Sequence, residues 1–185
     1  MREIITPLGA EVESWQAGER ILLSGVIYTA RDAAHGRMAQ EQKEGLPLPI
    51  SWKGQAVYYA GPSPAPPGKP IGAVGPTTSG RMDAFASMLM ASGLRAMIGK
   101  GERIASVTEA ITEYGCVYLA AIGGAGALLG ECVKKAEIAA YPDLGPEAIW
   151  RLEVEKMPLV VAIDCQGQSL YELEPPKYRK GGHRL

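Results

Sequence analysis

The sequence predicts an α/β domain with mixed strands and helices packed in layers, and three observations carry that prediction. Short runs of β-branched and aromatic residues alternate with segments whose apolar residues recur at helical spacing. Glycine and proline clusters punctuate the two kinds of segment. The chain has 185 residues, 46% of them apolar and 21% charged, enough for one buried core with residues 1–185 forming a single domain.

The elements follow in order. Ile4-Ile5 is a short strand stopped by Pro7, and Glu19 to Tyr28 is rich in strand formers. From Asp32, placed to act as an N-cap, the pattern turns helical and runs to about Glu44. A loop with Pro47 and Pro49 leads to a strand at Ala56 to Ala60, stopped by Gly61-Pro62. The prolines at 62, 64, 66, 67 and 70 then require an exposed loop, since proline cannot donate to a ladder or continue a helix.

Near Ser79 a helix opens that contains Phe85, Met88, Leu89 and Leu94, and Gly99-Lys100-Gly101 ends it. A second helix covers Arg103 to Glu113, and Cys116 to Ile122 is a fully apolar strand followed by a glycine turn and a short helix. Strands at Ala148 to Val154 and Leu159 to Ile163 lead, through Gln166-Gly167-Gln168, to a last strand at Ser169 to Tyr171.

Composition excludes several functions. A net charge of −1 gives no basic field for nucleic acid, and the basic end at Lys177 to Lys180 reads as a solvated tail. No N-terminal apolar stretch has signal-peptide form, and no uncharged run reaches the roughly 18 residues of a membrane helix. The expected location is the cytoplasm. Three widely spaced cysteines, Cys116, Cys132 and Cys165, argue against a disulfide framework and read as buried thiols. With only His35 and His183 besides, no self-contained metal site is expected.

The most informative stretch is Gly75-Pro76-Thr77-Thr78-Ser79-Gly80-Arg81. Three hydroxyls sit between glycines at a helix start, with an arginine in the first turn. Free N–H groups there bind anions, and arginine grips a carboxylate through two parallel hydrogen bonds. A single capping hydroxyl would not need the other two, so the pattern favours an anion site. The stretch also approaches a nucleotide P-loop, but Arg81 replaces the lysine and Met82 the Mg²⁺-binding hydroxyl, which excludes that reading. Gly124-Ala125-Gly126 with Gly130 departs from dinucleotide spacing and is explained by close packing. Arg31 at a strand end and Lys100 at a helix end add two cations suited to a substrate with two carboxylates. His35, one helical turn after Arg31, is either a general acid or a hydrogen-bonded structural histidine.

Ala30-Arg31-Asp32-Ala33-Ala34-His35, Tyr59-Ala60-Gly61-Pro62, Gly75 to Asp83 and Ile98-Gly99-Lys100-Gly101, in this order, resemble the C-terminal part of class I iron–sulfur fumarate hydratases. L-tartrate dehydratase β subunits share the same parts. Gly115 to Leu119, Gly123-Gly124-Ala125 and Glu147 to Trp150 extend the likeness over nearly the whole chain. The resemblance implies a swivelling β/β/α domain acting as the β subunit of a hydro-lyase, with fumarate and (S)-malate as substrates and L-tartrate as the alternative. It implies a [4Fe–4S] cluster on a partner α subunit, ligated by none of the three cysteines here, in an α₂β₂ assembly. One iron would act as Lewis acid on the substrate hydroxyl. Arg31, Arg81 and Lys100 match substrate-binding positions, and Thr77 matches the residue exchanging the C3 proton. Asp32, His35, Thr78 and Asp83 stand beside them as supporting residues. A non-catalytic anion-binding or regulatory module is the reading from another class.

Overall fold

The computed structural model describes residues 1–178; Arg179, Lys180 and His183 lie outside them. Seven strands form one sheet: β1 (Arg2–Ile5), β2 (Arg20–Thr29), β3 (Ala56–Tyr58), β4 (Ala96–Gly99), β5 (Val117–Ala120), β6 (Val133–Ala140) and β7 (Ile149–Ile163). Their order is β1-β2-β3-β4-β5-β7-β6, and β2 also pairs with β7. The pairings from β1 through β5 are all parallel, whereas β7 runs antiparallel to β2, β5 and β6. Because β7 bonds to both β2 and β5, the strands β2-β3-β4-β5-β7 close into a ring. The mixed α/β architecture expected from the sequence is present.

The helices are α1 (Asp32–Lys43), α2 (Asp83–Ala91), α3 (Ala105–Tyr114), α4 (Gly126–Glu131), α5 (Leu170–Leu173) and α6 (Pro175–Tyr178). Successive residues of a strand face opposite sides, and the two cores follow that alternation. Ala56, Tyr58, Ala96, Ile98, Val117 and Leu119 point to the core shared with β1, β2 and β7. Val57, Tyr59, Met97 and Tyr118 point the other way, onto Ala34 and Met38 of α1, Leu89 and Met90 of α2, and Val107 and Ile111 of α3. Each large apolar side chain fully buried there contributes about 1.5–3 kcal/mol.

Five elements differ from expectation. Helix α2 ends at Ala91, where Gly93 takes a positive φ of 93° and donates to Met90 O, so Leu94 lies beyond the helix. Residues 96–99, read as its last turn, are strand β4. All four are buried, so no alternation marks them. Residues 133–140 form an edge strand whose charged, exposed face hides its period. The two expected strands around residues 148–163 are one long strand, bent at Lys156, which has a φ of 50° and donates its N–H to Ser24 Oγ. Finally, Ser169 makes only an isolated bridge to Ile163, and Leu170 begins a helix.

Among the described residues no helix is long and apolar enough to cross a membrane.

Candidate functional site

Parallel strands that point the same way bring their carboxyl ends to one edge, the usual ligand edge of such sheets. Here β2 delivers Arg31, β3 delivers Tyr59 to Gly61, β4 delivers Lys100, and β5 leads to Gly123. The segment from Thr77 to Ser79 threads between the ends of β3 and β4. Thr77 N–H donates to Tyr59 O at 2.6 Å, Thr78 forms a parallel bridge with Lys100, and Ser79 N–H donates to Lys100 O at 2.9 Å. This approach requires Gly99, since a Cβ there would lie 2.0 Å from Ser79 Oγ. Lys100 therefore stands at a strand end rather than the expected helix end, next to the threonines.

The three hydroxyls do not share one role. Ser79 is buried, and its Oγ–H donates at 2.9 Å to Tyr118 Oη, which donates on to Gly101 O at 2.9 Å. Thr77 is half-buried and Thr78 side-chain surface belongs to the exposed flank of the segment. No hydroxyl caps a helix: Ser79–Met82 is a 3₁₀ turn, and α2 begins after it with Asp83. The expected anion site at a helix start is thus replaced by a turn laid across strand ends, with Arg81 in that turn.

Two of the three cations already hold carboxylates. Arg81 Nε and Nη2 donate to Asp32 Oδ1 and Oδ2 at 2.9 and 2.6 Å, and Arg31 Nη2 lies 3.2 Å from Glu147 Oε1. Glu147 Oε2 also accepts from Ala33 N–H at 3.0 Å. Asp32 is consequently no N-cap. Arg31 occupies that position, its side chain makes no cap bond, and the Asp32 carboxylate goes to Arg81. Lys100 is exposed and has no ion-pair partner among the described residues.

His35 lies behind the edge rather than on it. It is fully buried, with Nδ1–H donating to Arg31 O at 2.8 Å and its ring against Tyr59 and Phe85. Burial lowers its pKa from 6.5 to about 4, so it is neutral at pH 7. Between those two values the unfolded chain binds a proton that the native chain does not, so stability is full above pH 6.5 and is lost as pH falls towards 4. We expect the wild-type chain to lose on the order of 2 kcal/mol more than His35→Asn between pH 7 and pH 4.5, measured by denaturant unfolding. Parallel losses in the two proteins would refute the assignment.

Asp83 also lies behind the edge, 9% exposed. Its Oδ1 accepts from Arg103 Nε at 2.5 Å and its Oδ2 from Ile104 N–H at 3.1 Å, joining the start of α2 to the segment after Lys100. The Arg103 guanidinium lies over the rings of Tyr59 and Tyr118. Burial opposes its charge, but Tyr59 and Asp83 outweigh that and raise its pKa above the ordinary value. Sequence reasoning missed Arg103, because Gly101-Glu102-Arg103 looks like an exposed helix start. It also missed the pairing role of Glu147. Neither has a local signal, since their partners lie far off in the chain.

The chain's own residues do not fit an iron–sulfur cluster. Burial pushes the Cys116 thiol up to about 12 and raises Cys132 and Cys165. Among the described residues no three His, Cys, Asp or Glu side chains converge to hold a metal. The glycines at 126 and 130 pack against the 72–75 loop, where added Cβ atoms would lie 3.1 Å from Gly75 N and 2.6 Å from Gly72 O.

A ring-closing mixed sheet with hydroxyls and cations along its parallel-strand edge defines the class of chain, and the comparisons give its family. Residues 4–173 match the model of the fumarase C-terminus family, and the chain belongs to that family. It is 44% identical over 155 residues to fumarate hydratase 1, mitochondrial, of Leishmania major, covering 83% of this chain and 28% of that protein. The anaerobic class I fumarate hydratase of Escherichia coli is 38% identical over 174 residues, 93% of this chain and 31% of the relative. The putative L(+)-tartrate dehydratase subunit beta of Methanocaldococcus jannaschii is 38% identical over 172 residues, 88% of this chain and 86% of that subunit. The chain thus spans less than a third of each of these fumarate hydratases and most of the subunit.

Proposed function

We propose that the chain is the β subunit of a hydro-lyase that reversibly hydrates a C4 dicarboxylate, fumarate giving (S)-malate. A [4Fe–4S] cluster would be carried by an α subunit, the expected assembly is α₂β₂, and both work in the cytoplasm, where three unpaired thiols stay reduced. The observation that carries the reading is the gathering of Arg31, Thr77, Arg81 and Lys100 along one strand-end edge. The cluster would supply Lewis acidity to the substrate hydroxyl from the partner's side.

In this reading the residues of this chain divide the remaining work. Arg31 and Arg81 receive the two carboxylates through charge-assisted hydrogen bonds. Lys100, exposed and without an ion-pair partner among the described residues, meets the negative charge that spreads onto the carboxylate as the C3 proton leaves. Thr77 Oγ1 takes that proton as its own hydroxyl proton passes to an activating base, and the reverse transfer returns it. A threonine hydroxyl is a poor base by itself, so we assign its activation to a carboxylate of the α subunit.

L-tartrate is the second reading, and the specific support is the relative named as a tartrate dehydratase subunit, which this chain spans nearly end to end. Fumarate and tartrate pathways differ by one substrate hydroxyl, which a single buried polar contact can discriminate. The test is co-expression with the α subunit, then assay of the purified complex on (S)-malate, fumarate and both tartrate enantiomers. An oxygen-sensitive, coloured complex that dehydrates one of them is expected. A complex that forms with its cluster but converts none would overturn the proposal in favour of a non-catalytic anion-binding module.

A further inference from the structure

The two arginines assigned to the substrate carboxylates are each tied to a carboxylate of the chain, and both ties converge on the first turn of α1. Asp32 is the first residue of that helix and grips Arg81 along its Nε–Nη2 edge. A guanidinium carries five N–H groups in a fixed fork, so this grip leaves the Nη1–Nη2 end free for a second carboxylate. Glu147 reaches the same turn from the other side. One oxygen takes Ala33 N–H and the other meets Arg31 Nη2. Arg31 Nη1 lies against Gly61, where a Cβ would sit 2.9 Å away, so the guanidinium is confined on that side too.

We infer that Asp32 and Glu147 are positioning residues that fix the orientation, and hence the separation, of Arg81 and Arg31. This rests on the hydro-lyase reading and deepens it by naming what sets the length of diacid accepted. The stability that the Arg81–Asp32 pair adds does not explain it. Arg81 and Asp32 side chains are 50% and 34% exposed, and an exposed pair contributes about 0–1 kcal/mol. What the pairs do supply is direction. A free arginine side chain loses rotamer entropy when a ligand orders it, whereas one already held against a helix end has lost it beforehand. With both arginines referenced to one helix turn, two carboxylates at one spacing are met together. The opposite arrangement, in which Asp32 and Glu147 mask the arginines and must be displaced, would make them competitors of the substrate.

Steady-state kinetics of the assembled complex separate these. Asp32→Asn and Glu147→Gln keep size and one acceptor oxygen but break the paired grip. For each, KM for (S)-malate is expected to rise about tenfold, the equivalent of 1.4 kcal/mol, while kcat falls by less and the melting temperature holds. A lysine has no fork to orient, so Asp32→Asn should add little to KM in an Arg81→Lys background. An unchanged KM, a lowered KM, or additive effects in that double variant would each overturn the inference. Should Glu147→Gln fail to assemble, the Asp32 and Arg81 pair of variants still decides it. A wild-type complex that converts no diacid would instead overturn the proposed function.

Discussion

Arg81→Ala is expected to remove turnover from the assembled enzyme while leaving the chain folded. Its guanidinium is half exposed and its one ion pair among the described residues joins it to Asp32 at the surface, so the loss to stability stays within about 1 kcal/mol. The loss to catalysis is of another size. An oriented charge-assisted contact that strengthens as charge develops on a bound carboxylate is worth a factor of about a hundred to a thousand in kcat/KM. The measurements are a thermal melt of the complex and its kinetics on (S)-malate. Arg81→Lys should recover part of the binding, because the charge remains, but not the two-pronged geometry. An Arg81→Ala complex that assembles and turns over at the wild-type rate would sink the assignment of this edge.

The reach of the sequence depended on whether a feature was local. Strand β2 and helix α1 were legible because a run of strand formers gives way sharply, at Arg31-Asp32, to helical spacing. Strand β4 was not, since Ala96, Met97, Ile98 and Gly99 are all buried and continue the apolar spacing of the helix before them. The string from Thr77 to Arg81 stood out because hydroxyls between glycines are locally unusual, although its local structure proved to be a 3₁₀ turn. Its neighbours in space were beyond local reasoning. Arg81 and Asp32 are 49 residues apart, and only the shared strand-end edge makes them partners. The roles of Glu147 and Arg103 likewise exist only after folding brings distant segments together.

The largest effect on stability should come from Arg103→Met. The side chains of Arg103 and Asp83 are 0% and 6% exposed, so removing the cation strands a carboxylate in the interior. Breaking a buried pair in that way costs about 3–5 kcal/mol. For a chain of this size that lowers the melting temperature by on the order of 10 °C. Removing both charges should cost much less. In Asp83→Asn with Arg103→Met, the asparagine oxygen still accepts from Ile104 N–H and the thioether lies between Tyr59 and Tyr118, close to Met97. The double variant is therefore expected to melt nearer the wild type than the single one does. A single variant as stable as wild type, or a double variant no better than the single, would show that the pair is not what holds these segments. Because that pair joins the start of α2, just beyond Arg81, to the residues just beyond Lys100, loosening it moves two cations of the site at once. Activity of Arg103→Met should accordingly fall even at temperatures where the variant remains folded.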